Sequence, residues 1–207
     1  MSDMLSSVDP MHLDAFREIG NIGAGNAVTA LSEILGNRIE MDIPVARIVP
    51  FNSIPDILYG AETPVTGVLV GMSGDMDGYM LVIMRIDDAM KLATRASGTE
   101  LPAVITPESL NENERGAVTE IANILVGSFF TAICSQTGLT VRLSVPELAV
   151  DMLGAILNVA IVEYGMLGES VLLLETRFSD NDIDVNGNFF LIPDYQSYKK
   201  LIQSLGI

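Results

Sequence analysis

Two residue types recur at one spacing in this chain. Glu18 stands three residues before Asn21, and 102 residues further on Glu120 stands three residues before Asn123. On a helix, residues three apart share a face, so each pair would present a carboxylate beside a carboxamide. Neither group is a strong nucleophile. The chain has one histidine (His12) and one cysteine (Cys134), and no Ser-His or Cys-His pair stands ready to make one. An asparagine side chain both donates and accepts hydrogen bonds, so it can hold a water in a chosen orientation without taking its proton. That chemistry suits an electrophile already activated elsewhere, where positioning supplies the rate. An acyl phosphate on a partner protein, with the partner's own Mg²⁺, is such an electrophile; glutamine orients water in this way in GTPases. The glutamate would either pair with a partner cation or lie near the water, and its position one turn before the asparagine better supports docking.

Two long helices must carry these pairs. Read as a helix, Leu13 to Ile34 gathers Asp14, Glu18, Asn21 and Gly25 within an arc of roughly 60°. Phe16, Gly20, Gly23, Ala27, Ala30, Leu31 and Ile34 fall on the opposite side and form a core face. Asparagine is a poor mid-helix residue and glycine costs about 1 kcal/mol against alanine there. Gly20, Gly23 and Gly25 around Asn21 therefore answer to something other than helix stability, and Gly25 offers a place where another protein's backbone comes close. Asp9 reads as the N-cap with Pro10 opening the helix, and Gly36-Asn37 closes it. A second helix runs from about Asn111 to Thr137, closed by Gly138.

At a constant offset of 102 residues, Arg17–Ile48 lies over Thr119–Val150 without a gap. The match pairs Glu18 with Glu120, Ile19 with Ile121, Asn21 with Asn123, Ile22 with Ile124 and Gly25 with Gly127. It continues through Thr29 with Thr131, Ala30 with Ala132 and Pro44 with Pro146. The economical reading is one domain over 1–207, duplicated internally about a pseudo-two-fold axis, with halves at about 1–98 and 107–207 and a polar link at about 99–110. Each half supplies one long helix and part of a shared sheet. Strands are expected over Arg38–Ile43, Ala46–Val49, Val65–Met72 and Tyr79–Arg85 in the first half. The second half reads as strands over Leu139–Val145, Gly154–Glu163, Ser170–Phe178 and Asn188–Ile192. Asp87 or Asp88 is expected to cap a helix ending near Ser97, and Asp194 a final helix Tyr195–Ser204.

Composition removes several function classes. With 207 residues, 49% of them hydrophobic, the chain can bury a substantial core. A net charge of −16 argues against nucleic acid or an anionic membrane as partner. One cysteine supports neither disulfides nor a thiolate cluster, and one histidine no multi-histidine metal site. The opening residues MSDMLSSVDP lack a basic signal-peptide region, and apolar runs such as Gly154–Val162 are too short to span a bilayer, so a cytoplasmic protein is expected. The glycines near Asn21 match neither GxxxxGK[ST] nor GxGxxG. Asp182-x-Asp184-x-Asn186-Gly187 opens like a calcium loop, but Pro193 stands where its last glutamate should be, so it reads as a hairpin turn. Phe129, Phe130 and Cys134 read as packing residues, and His12 as exposed.

With these residues in view, EIGNIGAGNA and EIANILVGS resemble the duplicated Glu-x-x-Asn signature of the CheC family of chemotaxis phosphatases, relatives of CheX and FliY. The likeness extends to the DMxG segment at Asp151 and to the closing LIPDxxSxxKL. It implies an α/β (α+β) fold in which an antiparallel sheet of about six strands is flanked by the two long helices. The implied activity is hydrolysis of the aspartyl phosphate on the response regulator CheY. Asn21 and Asn123 would orient water and Glu18 and Glu120 would dock the regulator, supported by Asp14, Gly25 and Gly127. The chain would bring no cofactor of its own, the Mg²⁺ sitting in the bound regulator. The resemblance also implies binding of the receptor deamidase CheD near Asp151 and Met152, and the internal pseudo-dimer suggests a monomer. The second copy departs from the family pattern. Gly116 replaces the acid that Asp14 supplies in the first, and Ile124-Leu125-Val126 is bulkier than Ile22-Gly23-Ala24. The first site is therefore expected to be the stronger.

Overall fold

The computed structural model describes residues 10–164, 170–179 and 182–206, so the expected cap Asp9 lies outside the described residues. The elements of the first part are α1 (Pro10–Leu35), β1 (Glu40–Met41), β2 (Val45–Pro50), α2 (Ile54–Ile57), β3 (Pro64–Gly74), β4 (Gly78–Arg85) and α3 (Ile86–Ser97). Those that follow are α4 (Glu112–Thr137), β5 (Val141–Leu143), β6 (Glu147–Met152), α5 (Leu153–Tyr164), β7 (Ser170–Ser179), β8 (Asp184–Pro193) and α6 (Tyr195–Ser204). The helices end for local reasons. Gly36 and Gly138, at matched positions, take left-handed φ values of 70° and 71° and close α1 and α4. Asn111 caps α4 by accepting from the backbone N–H of Asn113, and Asp194 caps α6 by accepting from that of Ser197. The expected cap on α3 is absent: β4 runs straight into the helix through Arg85. Asp88 is instead buried, paired with Lys91 at 3.1 Å and accepting from the backbone of Asn186.

Every strand pairing among the described residues is antiparallel, in the order β1-β7-β8-β4-β3-β5. β2 continues the β1 edge along β7, and β6 continues the β5 edge along β3. Eight strand segments therefore fill six ladder positions, close to the expected six. The surplus arises because Pro44 and Pro146 interrupt the edge strands, and proline lacks the N–H a ladder needs. The order also reads alike from both edges. The strand following α1 pairs with β7, and the strand following α4 pairs with β3, so the two parts of the chain exchange edges.

Alternate strand residues face two different cores. Met80, Val82, Met84, Leu172 and Leu174 pack beneath α1, α3, α4 and α6, whereas Leu81, Ile83, Val171 and Leu173 pack against Phe51, Ile54 and α5. This second layer corrects the sequence reading of Gly154–Glu163, which is helix rather than strand. A near-continuous apolar run fits either period, and only the surface it covers decides. Here Leu153, Ile156, Leu157 and Ala160 are buried at helical spacing. The strand actually present, β6, precedes it. The expected strands over Arg38–Ile43 and Leu139–Val145 shrink to β1 and β5, while Asn188–Ile192 lengthens to β8. β8 also corrects the reading of the calcium-like segment as a hairpin turn: Asp184, Asn186 and Gly187 are strand residues, paired in register with Ser179, Arg177 and Thr176.

α1 and α4 pack on each other as an antiparallel pair. A Cβ on Gly23 would stand 3.0 Å from the Cα of Phe129, while Leu31 and Leu35 share a crevice with Ile121 and Leu125. By length and composition α4 is apolar enough to cross a bilayer, contrary to the sequence reading. Its Val118, Ile121, Ala122, Leu125, Val126, Phe129 and Phe130 are instead buried in the protein core. On α1, Phe16, Gly20, Gly23, Ala27 and Leu31 are buried as expected; Ala30 and Ile34 are only half-buried, and Ile19, Ala24 and Leu35 take their places.

Candidate functional site

Glu18 and Asn21 on α1, and Glu120 and Asn123 on α4, are all exposed. Their placement follows from the core faces of the two helices. Once Phe16, Ile19, Ala27 and Leu31 turn inward on α1, and Val118, Ile121, Ala122 and Leu125 on α4, the polar strips must face out. Among the described residues none of the four side chains makes a hydrogen bond or ion pair within the chain. Asp14 is also exposed and forms an ion pair with Arg17 at 2.7 Å, an arrangement worth little to stability at such a surface. Gly116, its counterpart on α4, is exposed.

The glycines of the strips divide into two kinds. Gly20 and Gly23 are demanded by packing: a Cβ on Gly20 would stand 3.1 Å from Pro44 Cγ, and one on Gly23 would press the backbone of Phe129. Gly25 and Gly127 would meet nothing within 4 Å. Because the helices are antiparallel with Gly23 against Phe129, Gly25 and Gly127 stand roughly level where the helices cross. Each asparagine is four residues, or about 6 Å, to one side of its glycine, in opposite directions. A bare stretch of backbone thus separates the two strips.

Two expectations about neighbouring residues need correction. The extra bulk of the second copy does not reach the surface, since Leu125 and Val126 are buried and Ile124 is half-buried. That bulk fills the core and cannot hinder a partner. His12 is half-buried, with its Nδ1 shut off from solvent and unpartnered, rather than exposed. Phe129, Phe130 and Cys134 do pack within α4, the two rings edge to face at 5.7 Å. Asp151 and Met152 end β6, both exposed, the Asp151 carboxylate accepting from the Met152 N–H at 2.7 Å. The sequence reading did not see what Pro44 does beneath Gly20; its signal was the matched Pro146.

Two spaces open among the described residues. An apolar void of about 30 Å³ sits under α1 between Gly20, Gly23, Pro44 and Phe129. A groove of about 460 Å³ runs along the β2 edge between Arg47, Tyr59, Glu175 and Asn188. There the Tyr59 hydroxyl accepts from Asn188 at 2.6 Å, and burial holds its phenol above the usual range. None of the four strip residues lines either space. Small-molecule sites are concave, whereas exposed polar side chains on two packed helices suit another protein's surface.

Comparison with known proteins places this architecture. The family model described as CheC-like family matches residues 11–46, and that described as Chemotaxis phosphatase CheX matches residues 66–162. These spans include both strips. A chain of the FliY crystal structure from Thermotoga maritima superposes with a TM-score of 0.77 over 97% of this chain and 98% of its own, at 22% identity. A chain in the crystal structure of the CheX–CheY–BeF3–Mg²⁺ complex from Borrelia burgdorferi gives a TM-score of 0.51 over 83% of this chain and 96% of its own, at 20% identity. Both show the fold. In sequence the chain is 32% identical over 207 residues to the CheY-P phosphatase CheC of Bacillus subtilis (strain 168), covering 98% of each. A likeness of that extent, on a sheet and helix pair of this architecture, means that the chain belongs to the CheC family of chemotaxis phosphatases.

Proposed function

We propose that the chain hydrolyses the aspartyl phosphate of CheY, with Asn21 and Asn123 orienting the attacking water and Glu18 and Glu120 docking the regulator. The observation that carries this reading is the pair of matching, outward-facing Glu-x-x-Asn strips whose side chains hold nothing within their own chain. The carboxamide oxygen accepts a hydrogen bond from water and leaves the water's lone pair directed at phosphorus. An O–P bond forms to the water while the bond from phosphorus to the aspartyl oxygen breaks. The leaving group is a carboxylate, stable near neutral pH without a proton, so no general acid is required and orientation supplies the rate. The metal in this reading belongs to the regulator; Mg²⁺ accompanies CheY in the Borrelia complex. A carboxylate one turn from the asparagine is spaced to meet a lysine of the regulator.

Phosphate release from phosphorylated CheY tests the proposal. Asn21→Ala with Asn123→Ala should reduce the catalysed rate to the regulator's own, and an undiminished rate would leave only a binding role. Asn21→Ala alone should cost more than Asn123→Ala. The ground for that order is the acid at Asp14 with its glycine counterpart at Gly116, since the buried bulk of the second copy offers none.

The same reading extends to a second partner and a setting. It assigns a CheD-binding surface to Asp151 and Met152, whose exposure at the end of β6 supports it, and a monomer working in the cytoplasm. Asp151→Lys should weaken the affinity for CheD while phosphatase turnover is retained; an unaltered affinity would remove the assignment.

A further inference from the structure

The side chains that recur between α1 and α4 sort by exposure. Ile19 and Ile121 are buried, Ile22, Ile124 and Ala30 are half-buried and Ala132 is buried, so packing accounts for their recurrence. Glu18, Asn21 and Thr29 on α1 are exposed, as are Glu120, Asn123 and Thr131 on α4, and packing does not account for theirs. The phosphatase reading uses the glutamates and asparagines and leaves the threonines without a part. Threonine is no aid to a helix, where a β-branched side chain loses freedom. Other threonines of α4 do not recur: Thr119 is matched by Arg17 and Thr137 by Leu35.

Thr29 belongs to the same strip as Asn21. At 100° per residue it falls with Glu18, Asn21 and Gly25 in an arc of roughly 80°. Asn21 and Thr29 flank Gly25 evenly, each four residues or about 6 Å away along the axis. A helical side chain leans toward the N-terminus, so Thr29 leans toward the glycine, where an added Cβ would meet nothing within 4 Å. α4 repeats the arrangement, and there the Thr131 hydroxyl donates to the Gly127 carbonyl at 2.8 Å, which leaves its oxygen able to accept. Among the described residues the Thr29 hydroxyl has no partner within the chain, so it can both donate and accept. We infer that Thr29 and Thr131 are docking residues, each hydrogen-bonding through its hydroxyl to main chain of the response regulator where that chain settles on the neighbouring glycine. This rests on the phosphatase reading above. With asparagine on one side of the glycine and threonine on the other, the partner's backbone is held at two points about 12 Å apart, which orients it over the carboxamide.

The test uses the full chain and phosphate release from phosphorylated CheY, with Asn123→Ala silencing the second strip. In that background Thr29→Val keeps the shape of the side chain and removes the hydroxyl. It should raise KM about fivefold, the scale of one hydrogen bond, with kcat retained. Thr29→Ser keeps the hydroxyl and should hold KM within about twofold. Thr131→Val in the same background should also hold KM within about twofold, because its strip no longer turns over. In an Asn21→Ala chain the two threonines should exchange roles. The melting temperature should stay put throughout, since threonine, valine and serine have similar helix propensities. An unchanged KM in the Thr29→Val chain overturns the inference while the phosphatase reading stands. A loss of kcat at unchanged KM also overturns it, because the hydroxyl would then act on the reaction and not on docking. Equal rises for Thr29→Val and Thr131→Val overturn it as a general effect on the fold. Absence of turnover by the unsubstituted chain removes the phosphatase reading and this inference together.

Discussion

Gly23 and Gly25 lie two residues apart in one helix and answer to different constraints. A methyl group on Gly23 would meet backbone, the Phe129 Cα at 3.0 Å and the Ser128 carbonyl at 3.5 Å, and backbone cannot yield as a flexible side chain does. Gly23→Ala should therefore open the crossing of the two long helices and destabilise the fold by about 1–3 kcal/mol, as overpacking does. A methyl group on Gly25 enters open space, and exchanging glycine for alanine in an exposed helix interior gains about 0.5–1 kcal/mol. Gly25→Ala should then raise the melting temperature while raising KM for phosphorylated CheY, and Gly127→Ala should repeat the pattern on the other strip. Melting curves beside steady-state phosphate release check both halves of this expectation. If Gly25→Ala lowered stability, or left KM untouched, the glycine would have no docking role. The helical period alone puts Gly20 and Gly23 on the core face and Gly25 on the polar strip; the neighbours that make the first two obligatory, Pro44 and Phe129, come from elements remote in the chain.

At the scale of elements, the long helices are legible because their signals are local. Asn111 and Asp194 as caps, Gly36 and Gly138 as left-handed stops, and the buried positions of α1 and α4 all follow from side-chain chemistry within a turn or two. Asn111→Ala should remove the acceptor that satisfies the first-turn N–H of Asn113 and cost about 1 kcal/mol by chemical denaturation. An unchanged midpoint would mean that water or Thr106-to-Leu110 backbone satisfies that group equally well. The errors fall where the local signal is double. The apolar run after Met152 fits a buried strand or a helix, and the need to cover Leu81, Ile83, Val171 and Leu173 made it a helix. Asp88 looks like a cap but is drawn into the core to meet Lys91 and the Asn186 N–H.

For the whole molecule, the exchange of edges governs stability. β2 has its ladder on β7, and β6 has its ladder on β3, so neither part of the chain contains the partner for its own edge strand. We propose that the chain is one domain of two repeated halves, about 1–98 and 107–207, fused through the link at 99–110; the symmetric strand order supports this. A polypeptide of residues 1–98 alone would expose β3 and β4 edges and the apolar face of α1, both of which invite association. It should therefore fail to give a folded monomer, as read by circular dichroism and sedimentation, and a stable, monomeric, cooperatively melting half would refute the shared-sheet account.

The amino-acid sequence alone determined the two long helices, their outward polar strips and the offset that relates them, because each depends on periodicity and on residue chemistry within a few turns. It also carried the family likeness. Only the tertiary structure decided that the edges are exchanged, and that Pro44 and the Phe129 backbone are what Gly20 and Gly23 pack against. Those facts depend on which surfaces meet. Contacts between residues a hundred positions apart are selected by burial and register across the whole sheet, and no local pattern encodes them.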